Sequence, residues 1–336
     1  MAFPLLKVSN LKKHYSHKKG ILQANKQSDS IIPAVDDISF DLGVNETLGL
    51  VGESGCGKTT TGKSILKLTS SSSGSIVYKN TDITLLNEKD FRPYRKDMQM
   101  IFQDLDAALN PKVRIRDVLR EAITVHHKNM SAGEIKDKTE HLISLVNLKK
   151  SKLDNRSSEL SGGEKRRVGI ARVLAVEPKF IVADEPTSAL DVSIQAQVVN
   201  LMRDLQNEFK LSYLFISHDL QLVEILSHRV AVMYLGRIVE MGPSMEVANR
   251  PLHPYTAILW SSLHDGNQKE AQTAGSQEAN WGVFDFERPS TGCRFAPRCP
   301  VYLKKGKPSA CTDPENEPLL NNTTQEHQVA CHFPLG

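Results

Sequence analysis

Apolar and polar residues are distributed along the chain in a pattern that predicts strands alternating with helices. Short apolar runs predict strands at 5–11, 35–42, 46–52, 75–80, 98–102, 179–185, 211–217 and 229–236. Helices are expected at 58–68, 193–209 and 219–227. Because strands that alternate with helices favour a mostly parallel sheet, the pattern predicts an α/β domain.

Two regions depart from this alternation. Residues 104–160 carry apolar residues at helical spacing, which predicts a helical subdomain within a domain that spans 1–262. Residues 263–290 are mostly polar, so we expect a flexible linker there. The tail, 291–336, is rich in proline and cysteine and has little periodicity. We therefore expect something other than a hydrophobic core to organise the tail.

The composition limits the classes of protein to which the chain can belong. Its 336 residues carry a formal net charge of +3, which is too weak to argue for nucleic acid as a partner. No N-terminal stretch is typical of a signal peptide, and no run reaches the roughly 18–20 apolar residues of a membrane span. We expect a protein of the cytosol that meets a membrane only through a partner.

A glycine-rich loop lies between a predicted strand and a predicted helix. Its sequence, GESGCGKT, fits the pattern G-x-x-x-x-G-K-[ST] in the strand–loop–helix context that this pattern requires. Backbone N–H groups and the Lys58 ammonium suit nucleotide phosphates, and the Thr59 hydroxyl suits Mg²⁺. We interpret Cys56 as a small filler, since no base that could activate it is visible. The predicted nucleotide-binding residues are Gly52, Glu53, Ser54, Gly55, Cys56, Gly57, Lys58, Thr59 and Thr60.

Polar residues follow three further predicted strands. Asp184 and Glu185 come directly after an apolar run, at the carboxyl end of a strand, where ligands of parallel sheets bind. Asp184 suits the coordination of Mg²⁺, and Glu185 suits the polarisation of an attacking water. Gln103 could reach a metal or water, and His218 could reach a γ-phosphate. Taken singly, each of these residues is also common as a cap at a strand or helix end.

A second segment has the features of an anion-binding helix start. In SSELSGGEKRRVGIARV (157–173), Ser161 precedes Gly162 and Gly163 at the predicted start of a helix. Such a start presents N–H groups and the positive end of the helix dipole to a phosphate. The same residues, followed by Glu164, also fit a capping box, which is a purely structural role.

The order of the motifs resembles that of the ATP-binding subunits of ABC transporters. The motifs are GESGCGKTT, IFQD, LSGGEKRR, IVADEPTSALD and ISHD, and the resemblance covers residues 5 to about 260. It implies a P-loop NTPase fold of the ABC type, α/β, with an antiparallel β subdomain, the helical subdomain and the cysteine-rich tail. It also implies ATP hydrolysis coupled to transport, with ATP and Mg²⁺ bound.

The resemblance assigns roles to single residues. The residues implied for catalysis are Glu185, His218 and Gln103, and those implied for Mg²⁺ are Thr59, Gln103 and Asp184. Tyr15 resembles the aromatic residue that stacks on adenine. Residues 161–163 complete the phosphate site of a second molecule, whose own segment completes residues 52–59 in return. Glu164 departs from the family, in which glutamine is more usual at this position.

Finer features resemble the oligopeptide and dipeptide importers of bacteria. They include ADEPTSALDVSIQAQVVNLM, HPYT at 253–256 and STGCRFAPRCP in the tail. The resemblance implies two transmembrane permease subunits, a second ATP-binding subunit (a sister protein or an identical copy), an extracytoplasmic substrate-binding protein and no nucleic acid. It places the chain at the cytoplasmic face of the inner membrane. Relatives import dipeptides, longer peptides, nickel chelates or glutathione-like compounds, so the cargo stays open.

Four of the five cysteines lie in the tail, at Cys293, Cys299, Cys311 and Cys331. In a reducing compartment such a cluster favours metal binding over disulfides. Thiolates suit Zn²⁺ or an iron–sulfur cluster, and the resemblance implies a [4Fe–4S] cluster. Zinc and free thiols in an ordered tail stay open as alternatives, with His327 and His332 as substitute ligands.

Two other classes of protein use part of the same pattern. A soluble ABC ATPase that acts on ribosomes or DNA usually carries two cassettes or long coiled coils, and neither is visible here. A phosphotransferase could use the same phosphate loop, but it gives no reason for the LSGG segment.

Overall fold

The structure is a computed structural model that describes residues 3–17, 30–104, 109–264, 292–323 and 326–336. Most of the predicted linker lies outside these residues, so the linker stays a prediction. The strands are β1 (Leu6–His17), β2 (Ser30–Leu42), β3 (Thr47–Val51), β4 (Ser73–Tyr78), β5 (Thr81–Asp82), β6 (Met98–Ile101), β7 (Phe180–Asp184), β8 (Ser212–Ile216), β9 (Arg229–Tyr234), β10 (Arg237–Pro243), β11 (Asn321–Asn322) and β12 (Gln328–Val329).

The α-helices alternate with these strands through most of the chain. They are α1 (Lys58–Ile65), α2 (Glu88–Phe91), α3 (Tyr94–Asp97), α4 (Ile115–His126), α5 (Ala132–Leu145), α6 (Gly162–Leu174), α7 (Val192–Phe209), α8 (Leu220–Leu226), α9 (Ser244–Asn249), α10 (Pro254–His264) and α11 (Pro300–Lys304). Within the described ranges, no helix is both long enough and apolar enough to cross a membrane.

Within the described part of the chain, the larger sheet has eight strands in the order β11-β12-β10-β9-β3-β8-β7-β6. The five strands from β9 to β6 are parallel, which confirms the predicted parallel sheet. Every residue of β3, β7 and β8 is buried, as expected for strands covered on both faces. The carboxyl ends of β6, β7 and β8 therefore lie side by side at one edge of the sheet.

The smaller sheet is antiparallel, with the order β2-β1-β4-β5. Strands β1 and β2 extend beyond the predicted bounds, since their pairing continues to His17 opposite Ser30. Apolar residues of both sheets form one core cluster, which includes Leu6, Leu42 and Leu48. This sheet confirms the predicted antiparallel β subdomain.

A helical subdomain follows β6, as the apolar spacing predicts. Helix α4 buries Ile115, Val118, Leu119 and Ile123 on one face. Helix α5 begins with a capping box in which the Ser131 side chain accepts from the backbone N–H of Glu134. Both helices pack against α6, which connects the subdomain to the strand edge.

The tail packs into the main core, so our expectation about its organisation is wrong. Phe295 is 1% exposed, and its ring centroid lies 5.3 Å from that of Tyr234 and 5.4 Å from that of Tyr255. Strand β12 pairs with β10, with Val329 opposite Glu240. One aromatic anchor and a two-residue strand hold much of the tail, and neither produces a detectable period in the sequence.

Candidate functional site

The phosphate loop lies between β3 and α1, and carbonyl oxygens of the loop itself bind its lysine. The Lys58 ammonium donates to the carbonyl oxygens of Gly52 and Glu53, at 2.7 and 2.9 Å, and the side chain is buried. Among the residues that the structure describes, no side chain caps the start of α1, which follows Gly57. The loop therefore combines a fixed positive charge with the N–H groups and positive dipole end of a helix.

Two glycines let this loop approach neighbouring backbone. Gly52 and Gly57 have φ values of +146° and +111°, and a Cβ atom on them would lie 2.1 Å from the Met233 oxygen and 2.2 Å from the Ala34 oxygen. No other residue type fits these positions without a backbone shift. Between them, Cys56 is buried, and burial raises the pKa of its thiol. A protonated thiol agrees with our interpretation of Cys56 as a filler.

Two of the predicted magnesium ligands lie in direct contact. The Thr59 hydroxyl donates to Oδ1 of Asp184 over 2.8 Å, which joins the start of α1 to the end of β7. Burial raises the pKa of the Asp184 carboxyl, despite the hydrogen bond from Thr59. A buried carboxylate beside a hydroxyl is a pair of oxygen ligands of the kind that Mg²⁺ prefers.

Glu185 lies between the other two predicted catalytic residues. Its Oε2 accepts from the Gln103 amide at 2.8 Å, and its Oε1 lies 3.3 Å from Nδ1 of His218. The three residues follow β7, β6 and β8, whose ends are adjacent in the sheet. Glu185 also has a φ of +46°, an uncommon conformation for a residue with a side chain. The structure thus brings together all the residues predicted at the strand ends.

The predicted second phosphate-binding segment forms a closed cap. The Ser161 side chain accepts from the Glu164 N–H at 3.3 Å, and Glu164 Oε2 accepts from the Ser161 N–H at 3.0 Å. Glu164 also pairs with Lys152 at 2.8 Å. A Cβ atom on Gly163 would lie 2.7 Å from a methyl carbon of Ile194, which explains one of the two glycines by close packing against α7. The capping alternative is therefore present in this structure, with Glu164 as its partner.

Arg166 connects this segment to the catalytic edge, and sequence analysis missed it. The buried guanidinium donates to the carbonyl oxygens of Phe102 and Gln103, at 3.1 and 3.0 Å. It also donates to the carbonyl oxygen of Ser188 at 3.2 Å. The loop after β6 and the loop after β7 therefore share one support from α6. An arginine on the buried side of an amphipathic helix is the sequence signal that could have identified it.

The tail and α10 also reach the phosphate loop. Arg298 binds the Glu53 carboxylate through two hydrogen bonds of 2.9 and 2.7 Å. The Tyr255 hydroxyl accepts from the Glu53 N–H at 2.9 Å. Both residues lie in sequences, HPYT and STGCRFAPRCP, that carry the family resemblance, but the sequence did not place them beside the phosphate loop.

Tyr15 lies on β1 and is 43% exposed. The Lys13 ammonium lies 4.8 Å from the centroid of its ring. The exposed aromatic surface is compatible with stacking on a base, and the role of Tyr15 in adenine binding stays a prediction.

The four tail cysteines line one small, mostly apolar cavity. Burial raises the pKa of the Cys293 thiol to about 11 and of the Cys331 thiol to about 12. Among the described residues, no group of three or more His, Cys, Asp or Glu side chains is arranged to hold a metal ion. His327 lies elsewhere, with its Nε2 2.7 Å from the buried Glu240 carboxylate, whereas His332 lines the cavity.

The fold and this site define an ABC-type ATP-binding subunit. Residues 35–188 match the family model described as ABC transporter. Residues 239–305 match the model described as the C-terminal region of oligopeptide/dipeptide transporters. Solved structures share the fold. CbiO1 from Clostridium perfringens, part of an ABC transporter complex, has a TM-score of 0.62 and 26% identity, covering 73% of this chain and 90% of that chain.

Similar proteins identify the family within this class to which the chain belongs. It is 43% identical over 335 residues to the oligopeptide transport ATP-binding protein AppF of Bacillus subtilis, covering 98% of this chain and 97% of that protein. It is 48% identical over 254 residues to the oligopeptide transport ATP-binding protein OppF of Streptococcus mutans, covering 76% and 82%. The chain belongs to the family of ATP-binding subunits of oligopeptide and dipeptide ABC transporters.

Proposed function

We propose that the chain hydrolyses ATP to energise the import of peptides through partner membrane subunits. The observation that carries this proposal is the position of Glu185, held between Gln103 and His218 and directly after the Thr59–Asp184 pair. AppF and OppF are oligopeptide transport ATP-binding proteins, and the similarity to AppF covers 98% of this chain, so it includes the tail as well as the ATP-binding domain.

In the proposed reaction, residues 52–60 bind the ATP phosphates through backbone N–H groups and the Lys58 ammonium. Thr59, Asp184 and Gln103 would hold Mg²⁺, which neutralises phosphate charge when bound. The chemistry of their oxygen atoms fits this ion, and the contact between Thr59 and Asp184 supports the pairing. Tyr15 would stack on the adenine.

Glu185 would orient and polarise the attacking water and accept its proton as the water oxygen bonds to the γ-phosphorus and the bond from that phosphorus to the bridging oxygen of the leaving ADP breaks. The Gln103 amide and the His218 ring restrict the carboxylate to one orientation. His218, which is exposed, would contact the γ-phosphate. The same contact between Gln103 and Glu185 would couple the site to the helical subdomain, which begins after β6.

We propose that two ATP-binding subunits act together, with residues 161–163 of each facing the phosphate loop of the other. The start of α6 offers N–H groups to an anion on a partner molecule. The second subunit is an identical copy or a sister protein. The assembly would comprise two permease subunits and an extracytoplasmic substrate-binding protein, with this chain at the cytoplasmic face of the membrane.

A substitution of Glu185 tests this function. We expect Glu185→Gln to lower ATP hydrolysis by about 10²- to 10⁴-fold, the usual contribution of a positioned base. ATP-dependent association with itself or with its sister subunit should persist, as measured by light scattering. Glu177→Gln, at an exposed carboxylate that pairs with Lys138, is the matched control and should hydrolyse ATP normally. Normal hydrolysis by Glu185→Gln would contradict the proposal.

The cargo needs a separate experiment. Uptake of labelled dipeptides and longer peptides by cells with and without the chain, compared with nickel chelates and glutathione-like compounds, identifies the transported class. Peptide uptake that depends on Lys58 supports the proposal. Uptake of the other compounds alone would assign a different cargo to the same ATPase.

We also propose that the cysteine pocket binds a [4Fe–4S] cluster, with zinc as the alternative. The four thiols line one cavity, which supports this donor set, and a cluster would require them to rearrange, since the described residues hold no ready-made metal site. Iron, acid-labile sulfide and zinc per chain, measured on protein purified without oxygen, distinguish the outcomes. About four irons with matching sulfide support the cluster, one zinc supports the alternative, and neither metal contradicts both.

A further inference from the structure

Glu53, the second residue of the phosphate loop, is held from three sides. Its carboxylate accepts two hydrogen bonds from Arg298, its N–H donates to the Tyr255 hydroxyl, and its carbonyl accepts from the Lys58 ammonium. The first two partners belong to the tail and to α10. The third is the lysine proposed to contact the ATP phosphates. A short series of hydrogen bonds thus leads from the tail to the phosphate loop.

Arg298 is itself held by a fixed aromatic platform. Its guanidinium lies 5.7 Å from the ring centroid of Tyr234 and 5.8 Å from that of Phe295. It also donates to the Tyr234 hydroxyl over 3.4 Å. The Arg298 side chain is 23% exposed and that of Glu53 is 31% exposed, so the pair is partly shielded from solvent. A bidentate pair on such a platform fixes the orientation of the Glu53 carboxylate as well as its distance from Arg298.

A second arginine ties the same tail to the strands beside the loop. Arg294, whose side chain is 8% exposed, donates to the Leu235 carbonyl at 2.6 Å and pairs with Asp36 and Glu317 at 2.5 and 2.6 Å. These contacts hold the tail in place but do not touch the phosphate loop. Arg294 therefore attaches the tail to residues beside the phosphate loop, whereas Arg298 contacts the loop itself.

We propose that Arg298 is a positioning residue for ATP binding, acting through Glu53 on the phosphate loop. Arg298 holds the Glu53 carboxylate, and this keeps the Glu53 carbonyl where it receives the Lys58 ammonium. Without that support the loop loses its fixed conformation, and ATP binding has to restore it. This inference rests on the proposed assignment of residues 52–60 to the ATP phosphates.

The test measures the Kd of Mg-ATP for the full chain by titration with a fluorescent ATP analogue. We expect Arg298→Ala to raise the Kd by about tenfold, within the range of known coupling between sites. Glu53→Gln, which changes the loop side of the same contact and leaves Arg298 in place, should raise the Kd to a similar extent. In the double variant, Arg298→Ala should add little to Glu53→Gln, because both remove one interaction. Arg298→Lys, which keeps the charge, should give an intermediate Kd.

A control variant and the kcat distinguish an effect of Arg298 on ATP binding from a general effect on the structure. Lys304→Ala, at an exposed tail position, is the matched control and should leave the Kd unchanged. At saturating ATP, the kcat of Arg298→Ala should stay within about twofold of the unmodified chain, since Arg298 acts on binding. An unchanged Kd in Arg298→Ala and Glu53→Gln, or fully additive effects in the double variant, would overturn the proposal.

Lys58→Ala separates this inference from the proposed function. If Lys58→Ala abolishes binding while Arg298→Ala matches Lys304→Ala, the phosphate loop binds ATP and the role of Arg298 is wrong. If Lys58→Ala binds ATP normally, the assignment of the loop itself is wrong.

Discussion

The catalytic edge of the sheet and the cysteine pocket are held in different ways. At the edge, functional side chains bind one another, as Thr59 binds Asp184 and Gln103 binds Glu185. In the pocket, the cysteine side chains meet apolar and aromatic neighbours, among them Phe295. One site is fixed by directional polar contacts at the ends of strands, and the other is fixed by packing.

This difference determines how each site should respond to substitution. Parallel strands bring their carboxyl ends to one edge, so the catalytic residues come together as soon as the sheet forms. The cysteines all lie in the tail, whose Phe295 packs against Tyr234 of β9 and Tyr255 of α10. Loss of packing should therefore disturb the pocket most, whereas loss of a buried polar contact should disturb the edge.

The largest expected effect is on the packing of the tail. Phe295→Ala removes a ring that is 1% exposed and contacts Tyr234 and Tyr255. We expect the free energy of unfolding to fall by about 3–5 kcal/mol, as is usual for a buried Phe→Ala substitution. Urea unfolding of the full chain measures this change. Leu303→Ala, at a tail residue that is 58% exposed, is the control and should change stability by less than about 0.5 kcal/mol.

If Phe295→Ala proves as stable as Leu303→Ala, the tail does not depend on the main core. Packing would then not be what holds the cysteine pocket. In that case the polar contacts of Arg294 would have to hold the tail.

A smaller effect is expected at the polar support of the catalytic edge. Arg166→Ala removes a buried guanidinium, and the partly buried carbonyl oxygens of Phe102, Gln103 and Ser188 lose this donor. We expect a loss of about 2–3 kcal/mol in the free energy of unfolding and a fall in ATP hydrolysis, because both catalytic loops lose a shared support. Urea unfolding and steady-state hydrolysis measure the two effects.

Arg166→Lys is the matched variant for this position. Lysine keeps the charge but lacks the planar fork that reaches several carbonyls, so it should recover only part of the loss. Equal stability and equal hydrolysis in Arg166→Ala and the unmodified chain would show that the catalytic loops need no support from α6.

The amino-acid sequence predicts the edge of the sheet far better than it predicts the tail. Asp184 and Glu185 follow a buried strand, and this local pattern, with the topology of a parallel sheet, is sufficient to place them. Arg166 and Arg298 contact residues distant in the chain through side chains whose direction depends on the complete fold. The tail offers no period at all, because Phe295 and a two-residue strand carry its packing. Local patterns predict elements, and contacts between distant segments have to be observed.

The smallest expected effect concerns Glu164, which closes the cap at the start of α6 and pairs with Lys152. Glu164→Gln keeps the reciprocal cap with Ser161 but loses the charge paired with Lys152. The pKa of the Glu164 carboxyl is lowered, first by the hydrogen bond from Lys152 and then by the backbone N–H of Ser161. A lowered pKa in the folded state stabilises the protein above the unfolded pKa, about 4.3, and this stabilisation is lost as pH falls through the folded value.

The unmodified chain should therefore exceed Glu164→Gln by about 0.5 kcal/mol in the free energy of unfolding at pH 7, which is typical of a partly exposed ion pair. Urea unfolding at pH 7, 5 and 4 should show the difference closing below about pH 4.3. In a Lys152→Met background, Glu164→Gln should have little further effect, since the partner is already absent. A difference that stays constant with pH would mean that the cap, rather than the charge, distinguishes the two residues.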